Sequence, residues 1–285
     1  MNRRLTVAAA LAIAVAFIGV PQASASPWIK SVVEAQKQAK QKNALIFVDM
    51  FADWCGWCHR MEQEVFPSQA FQNATDDMVL LRLNTEDGGE GTKLARQFQV
   101  SSLPTFLVLS PDMTIAGIIR GYAPSADFVR SLKDVQGKYK DFQTRVKQEP
   151  TYAKDYQKRL DLAKEFTQRF ALKESESRLK KIIGETGLPP GVRDQAYYEL
   201  AVSQLLQKKY DESTKTITKF ATMQTKGEPY ERSRLLLGQI YLEQGNIMGA
   251  ANEFRSFKQT FPNSPLVQNV NQILPDLERQ LSARK

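Results

Sequence analysis

The sequence holds two cysteines, Cys55 and Cys58, with two residues between them, and one histidine, His59, directly after the second. Two thiols at that spacing can close a small disulfide ring. Where such a pair opens a helix, unpaired backbone N–H groups and the positive end of the helix dipole favour the thiolate of the first sulfur. The thiolate is the attacking species in disulfide exchange. The second cysteine, one turn on, can attack the mixed disulfide and release the partner. The same residues admit other chemistry. With His59 and a carboxylate they could complete a zinc site, or they could form a purely structural disulfide, which would constrain little chain. Cys55-Gly-Trp-Cys58-His59 also matches the C-x-x-C-H pattern of covalent haem attachment. Met50, Met61, Met78 or Met113 could then supply a second axial ligand. On the pentapeptide alone, the redox and haem readings stand side by side. A single histidine excludes any mechanism or metal site that needs two, and two cysteines exclude a multi-disulfide scaffold.

The elements around the pair follow from periodicity. Residues 28–42 read as an amphipathic helix with Ile29, Val32 and Val33 on one face and Ala39 two turns beyond Val32. Ala44 to Phe51 is an apolar run with one acid, Asp49, inside it, as expected of a strand buried on both faces. The Cys55–Cys58 segment follows at once and leads into a helical stretch, His59 to Phe66. Met78 to Leu83, Thr105 to Leu109 and Thr114 to Arg120 are further strands. Thr92 to Phe98 is a short helix, and Ala126 to Leu132 begins a closing one. The order α-β-α-β-α-β-β-α predicts an α/β domain, a sheet covered by helices. The loop Thr85 to Gly91 carries three acids and three glycines. Calcium would want more oxygen ligands at regular spacing, so a flexible surface turn is expected there.

The flanks separate the readings of the cysteines. Phe47-Val-Asp49-Met-Phe-Ala-Asp-Trp54-Cys55-Gly-Trp-Cys58 resembles the active-site segment of the thioredoxin superfamily. Asp49 stands where that family carries a buried carboxylate, six residues before its first cysteine. Val100-Ser-Ser-Leu-Pro104-Thr105-Phe106 resembles the family's cis-proline loop. Arg82 falls where thioredoxins often carry a lysine near the buried acid, and Gly117 and Gly121 resemble late-strand glycines. The resemblance covers residues 28–136 and implies a thioredoxin-like fold, a central mixed sheet covered by helices, with no cofactor and no metal.

It also implies roles. Cys55 would be the more exposed sulfur and the nucleophile, and Cys58 the resolving thiol, the two joining as a redox-active disulfide. Asp49, buried beneath Cys58, would have a raised pKa and accept its proton; the alternative is a strand acid paired with Arg82. A cis Pro104 would put the Leu103 backbone beside the disulfide, where an extended substrate segment could pair. Trp54 and Trp57 would offer flat apolar surface to a substrate. His59 would raise the thiolate fraction or cap a solvated helix face. The Gly-Trp dipeptide departs from the Gly-Pro of ordinary thioredoxins and the Gly-His of disulfide isomerases. The run Cys55-Gly-Trp-Cys-His-Arg-Met-Glu-Gln-Glu-Val-Phe66 is similar to the subfamily related to the periplasmic C-terminal domain of the DsbD-type reductant transporter. That similarity implies reduction of protein disulfides, with an isomerase or oxidase of the same fold as the alternative.

After residue 140 no cysteine, histidine or nucleotide motif occurs, and the pattern is helical. Aligning Ala163, Ala201 and Gly238 gives spacings of 38 and 37. Ser175, Ser213 and Ala250 follow twelve residues later; Leu179, Ile217 and Phe254 sixteen later; Ile182, Phe220 and Phe257 nineteen later. The last unit, with Tyr241, Gly245 and Pro262, resembles a tetratricopeptide repeat, so a short solenoid is expected, closed by a helix from Val267 to Leu281. Such a surface would dock a peptide, a client or a second subunit. A non-catalytic binding or chaperone adaptor, with the redox fold as a relic, is the rival class.

The N-terminus reads as a secretory signal: Arg3-Arg4, an apolar run from Leu5 to Val20, then Ala23-Ser-Ala25. The expected domains are therefore a signal at 1–25, a thioredoxin-like domain at 26–140 and helical repeats at 141–285. A periplasmic soluble protein follows, or one anchored by an uncleaved segment. Export excludes nucleic acid as a partner. It makes protein thiols and disulfides the substrates and a membrane electron donor the source of reducing equivalents. Charge is uneven: residues 26–140 hold 13 basic and 13 acidic side chains, residues 141–285 hold 24 and 18. A basic second half favours acidic partners or anionic surfaces, although Lys180-Lys181 and Lys208-Lys209 also fit ordinary solvated helix faces.

Overall fold

A computed structural model of the protein describes residues 28–223 and 227–283. The signal expected at 1–25 lies outside these residues. The sheet is built on β1 (Ile46–Phe51), whose bulky β-branched and aromatic side chains suit a pleated, buried strand. β2 (Val79–Asn84) pairs with it in parallel on one side, and β3 (Thr105–Leu109) antiparallel on the other. β4 (Ile115–Arg120) lies antiparallel beyond β3, so the sheet is mixed, in the order β2-β1-β3-β4.

Side chains alternate along β1, which sends Ile46, Val48 and Met50 to one face and Phe47 and Asp49 to the other. The first face is covered by α1 (Val32–Lys42) and α4 (Glu90–Gln97) through Ala35, Ala39 and Leu94. The second is covered by α2 (Gly56–Glu64), α3 (Gln69–Thr75) and α5 (Ser125–Gln148). There Phe47 meets the rings of Phe71, Phe106 and Phe128 at centroid distances of 5.4, 5.6 and 6.0 Å. Gly117 on β4 admits α5 closely, since a Cβ there would lie 2.4 Å from Val135 Cγ1.

Three expectations are corrected, and one helix was not anticipated. Residues 28–31 are not helical: Ile29 bridges to Leu81 of β2, and Trp28 stacks on Phe71 in the aromatic core. The inward face of α1 is the small pair Ala35 and Ala39, while Val33 is 71% exposed. Helix α3 was not expected, because seven residues with only Phe71 and the two alanines apolar show no period; Ser68 caps it by accepting from the Phe71 N–H. The 85–91 loop is organised rather than slack. Asp87 accepts from the N–H groups of Gly89, Gly91 and Thr92, and the Glu90 carboxylate accepts from the Val32 N–H at 3.0 Å.

The second half forms three helix–turn–helix pairs: α6 (Tyr156–Gln168) with α7 (Leu172–Ile183), α8 (Pro190–Leu206) with α9 (Tyr210–Ala221), and α10 (Glu228–Glu243) with α11 (Ile247–Thr260). A last helix, α12 (Val267–Ser282), covers the open end. The repeat of small residues has a packing cause. Ser175 Oγ donates to the Ala163 carbonyl at 2.9 Å and Ser213 Oγ to the Ala201 carbonyl at 2.8 Å, each tying the two helices of a pair. At Gly238 the Phe254 ring fills the space a side chain would need, a Cβ falling 2.3 Å from it. No helix among the described residues is long and apolar enough to cross a membrane.

The two halves are joined by more than a linker. Helix α5 runs unbroken across residue 140, and Phe142 on it packs edge-on against Phe166 of α6 at 5.1 Å. The turn between α6 and α7 then wraps the outer edge of the sheet. Ile115 N–H of β4 donates to the Arg169 carbonyl at 2.8 Å, and the Arg169 guanidinium donates to the carbonyls of Ile115 and Ala116 at 3.0 and 2.8 Å. Glu165 holds the same guanidinium, which lies over the Phe142 ring. Phe170 turns to the opposite side and packs on Phe98. An unpaired strand edge is thus satisfied from within the chain. Arg169→Gln is expected to lower the denaturant-unfolding free energy by roughly 2 kcal/mol, because it strips charge-assisted bonds from partly buried carbonyls. Hydrogen exchange at Ile115 should speed up. Arg169→Lys should not restore the loss, since an ammonium has a single nitrogen, whereas the guanidinium bonds both carbonyls from one nitrogen while its two others pair with Glu165.

Candidate active site around Cys55 and Cys58

Cys55 and Cys58 are joined as a disulfide. Cys55 is the N-cap of α2, and its Sγ accepts from the Cys58 N–H at 3.2 Å. That N–H, which also donates to the Cys55 carbonyl at 3.0 Å, lies at the helix N-terminus and points at the first sulfur, an arrangement that favours a thiolate there when the bond is reduced. The expected difference in exposure is small: Cys55 is 3% exposed and Cys58 1%, because Phe51, Ala52 and Leu103 close around both. Access comes from the rim, where Trp54 is 69% and Trp57 55% exposed.

The Leu103–Pro104 peptide is cis, Pro104 is buried, and its carbonyl accepts from the Gly121 N–H at 2.8 Å. Leu103 packs on the cysteine cluster, and its own N–H and C=O bond to none of the described residues. A free backbone donor and acceptor thus lie beside the disulfide.

Asp49 is buried on the sheet face that α2 covers. Burial pushes its carboxyl up to about 7, opposed by the charge of Arg82. Arg82 Nε lies 3.1 Å from Asp49 Oδ2 but off the hydrogen-bonding line, so neither carboxylate oxygen receives a hydrogen bond among the described residues. Nothing in that geometry favours the ionised form by hydrogen bonding, which is why desolvation prevails. Arg82 faces Asp49 in the parallel register of β1 and β2, lies over the Phe51 ring at 4.1 Å, and also pairs with Glu62 of α2. His59 contacts Glu62 through Nδ1 at 3.3 Å and the Asp53 carbonyl through Nε2 at 2.9 Å. Both readings of Asp49, a buried acid and a partner of Arg82, therefore describe the same residue. His59 is tied to its own helix and the preceding turn.

A thioredoxin-like domain model matches residues 32–136, and a tetratricopeptide repeat model matches residues 232–264. Residues 32–136 are a thioredoxin-like domain. The chain continues into tetratricopeptide-like repeats. The thioredoxin-like domain is similar to part of "Thiol:disulfide interchange protein DsbD" of Pasteurella multocida, 28% identical over 108 residues, 35% of this chain and 19% of that one. The protein of the same name from Pseudomonas fluorescens is 34% identical over 88 residues, covering 30% of this chain and 15% of that one. This chain thus spans less than a fifth of the length of these relatives. Among solved structures, the oxidised C-terminal domain of DsbD from Neisseria meningitidis aligns at 15% identity and a TM-score of 0.33, over 38% of this chain and 98% of that one.

The sequence reading missed several residues that hold this site of the thioredoxin-like domain. Glu62 was legible in principle, since it lies four positions after Cys58 and therefore on the same face of α2. Glu86, which accepts from the Trp54 indole at 2.8 Å, sits in the acidic loop. Tyr122 stacks on Trp57 at 5.3 Å and bonds Glu64, while Arg60 lies over both rings. Tyr122 has no local signal, being 58 residues from Glu64.

The Asp49 shift sets a pH dependence. Its folded pKa is raised above the unfolded value, so the folded chain holds the extra proton between about pH 4 and 7, and stability falls as pH rises through that window. Asp49→Asn cannot ionise. The oxidised variant is expected to exceed the wild type in stability by on the order of a few kcal/mol near about pH 8, the gap closing near about pH 4. Thermal unfolding across that pH range reads this directly.

Proposed function

We propose that this chain is a thiol–disulfide oxidoreductase that reduces protein disulfides outside the cytoplasm. The observation that carries the reading is the Cys55–Cys58 disulfide capping α2, with the unpaired Leu103 backbone packed beside it, inside a thioredoxin-like domain. In the reduced protein the Cys55 thiolate attacks one sulfur of a client disulfide. A Cys55–client disulfide forms, and the other client sulfur leaves as a thiolate that takes up a proton. Cys58 then gives its proton to Asp49 and attacks Cys55 Sγ. The Cys55–Cys58 bond closes and the second client sulfur departs. Two electrons pass from the chain's dithiol to the client, and no cofactor takes part.

The buried Asp49, with its raised pKa, suits a group that must accept a proton near neutrality and release it afterwards. Leu103 would pair with an extended client segment through its backbone, which tolerates many sequences. Trp54 and Trp57 would cover that segment, Trp54 held by Glu86 and Trp57 by Tyr122. Arg82 and Glu62 position Asp49 and α2, and His59 steadies the helix start. The oxidised protein would be restored by a dithiol donor in the membrane, since an exported chain is cut off from the cytoplasmic thiol pool. The apolar leader at 5–20 followed by Ala23-Ser-Ala25 supports export. The repeats would dock the client or a partner.

Two measurements test this. Cys58→Ser is expected to accumulate mixed disulfides through Cys55, seen as thiol-sensitive adducts on non-reducing gels, whereas Cys55→Ser should form none. Absence of adducts from Cys58→Ser while the wild type still binds clients would favour an adaptor. For direction, the reduction potential of the pair is expected near about −270 mV, as for thioredoxin. A value between about −180 and −120 mV would instead indicate an isomerase or oxidase.

A further inference from the structure

Between the thioredoxin-like domain and the repeats lies a cavity of about 600 Å³. Its charged lining is unbalanced. Lys93 and Arg96 of α4 and Lys208 after α8 face it with one acid, Glu243 of α10. The side chains of Lys93, Arg96 and Lys208 make no ion pair or hydrogen bond among the described residues. Gln99 and Gln239 add neutral amide donors and acceptors. Three cations left unpaired around one concavity attract negative charge, and low-dielectric walls strengthen the field there.

Two further observations say what kind of anion fits. Gln99 precedes Leu103 by four residues, so the cavity wall lies within roughly 14 Å of the free backbone edge beside the disulfide. Gln239 and Glu243 also line a second cavity of about 630 Å³ across α10 and α12, whose other walls are mainly apolar, including Leu235, Leu242 and Ile273. The two cavities therefore adjoin, forming a path that is basic at the thioredoxin-like domain and apolar further along the repeats. A small inorganic anion would use only the first part. An extended polypeptide uses both.

We propose that the interdomain cavity holds an acidic segment of the client whose disulfide is exchanged at Cys55, with apolar side chains of the same segment entering the second cavity. The identity of the occupant as a client rests on the exchange reading above; the preference for acidic over basic segments does not. The wall is fixed rather than tethered, because Phe170, which lines the first cavity, is held against Phe98 and follows the Arg169 clamp on β4. A bound segment is thus presented at one distance from the disulfide.

The test uses the full-length protein and two fluorescent peptides without cysteine, alike except that one carries glutamates and the other lysines ahead of a short run of leucines. Anisotropy titration is expected to show the glutamate peptide binding at least about tenfold more tightly, the sum of several modest exposed pairs. Lys93→Gln, Arg96→Gln and Lys208→Gln combined should remove that preference while leaving the rate with a small neutral aromatic disulfide unchanged. Charge reversal to glutamate at the three positions should transfer the preference to the lysine peptide. Equal affinity for both peptides, or full retention of the preference in the triple variant, overturns the proposal. So does displacement of the glutamate peptide by millimolar phosphate at constant ionic strength, which indicates a small-anion site. In a second arm each peptide carries a mixed disulfide. Faster exchange with the glutamate version supports delivery to Cys55, and equal rates overturn it. A wild type that binds the glutamate peptide but exchanges with no disulfide overturns the exchange reading and leaves the cavity's preference standing.

Discussion

Burial of β1 on both faces is the constraint from which the site follows. A central strand can be covered by two helical layers only if its side chains tolerate removal from water, and Asp49 is the one that does not. Burying a carboxylate without compensation costs several kcal/mol, and the usual resolutions are a counter-charge or a proton. Both operate here. The parallel register brings Arg82 opposite Asp49, yet the contact lacks hydrogen-bond alignment, so the carboxyl keeps a proton affinity close to neutrality. Arg82 must itself be held, and Glu62 and the Phe51 ring do so. Glu62 belongs to α2, the helix that Cys55 caps. The buried carboxyl, its counter-charge and the helix start that bears the sulfurs are therefore one connected arrangement, and moving any of them disturbs the others.

How far this could be read in advance depends on whether the determinants are contiguous. Asp49, Cys55 and Cys58 lie within ten residues, and Pro104 sits in a short loop of distinctive composition, so local spacing reveals them. The apolar runs of β1, β3 and β4 announce strands for the same reason. Trp28 and Ile29 mislead because an amphipathic-looking start gives way to a bridge with β2 once Trp28 can join the rings of Phe47 and Phe71. The near-equal burial of the two sulfurs was not legible either. It is set by Leu103, about fifty residues away, closing over the pair. In the repeats the opposite holds. Small residues recurring every 37 or 38 positions mark where helices must touch, and the Ser175 and Ser213 bonds to the facing carbonyls show why those positions stay small.

The joint between the halves has its own logic. β4 is an edge strand, and exposed edges invite pairing with other chains. Here the α6–α7 turn occupies it, with Arg169 bonding two carbonyls and accepting one amide, so the repeats are part of the completion of the sheet. Continuous α5 and the shared packing of Phe142 with Phe166 remove the slack a flexible linker would introduce. For a client held on the repeats, the effective concentration of its disulfide at Cys55 is then governed by fixed geometry, high where the span matches and negligible where it does not.

That geometry matters because the exchange itself carries little selectivity. One disulfide is broken for each one made, so the covalent free energies largely offset, leaving the difference in reduction potential to set direction. The surface at the sulfurs offers two exposed indoles and a stretch of backbone unbonded among the described residues, none of which would distinguish one sequence sharply from another. Discrimination among clients must therefore arise from contacts elsewhere, where side chains differ in charge and shape. The first half of the chain after residue 25 is electrically balanced and the second is not. A cavity at their junction, lined by three cations unpaired among the described residues, concentrates that imbalance between the two folds. On the proposed reading, chemistry that is indifferent to sequence and recognition that is not are divided between two folds held at a fixed separation.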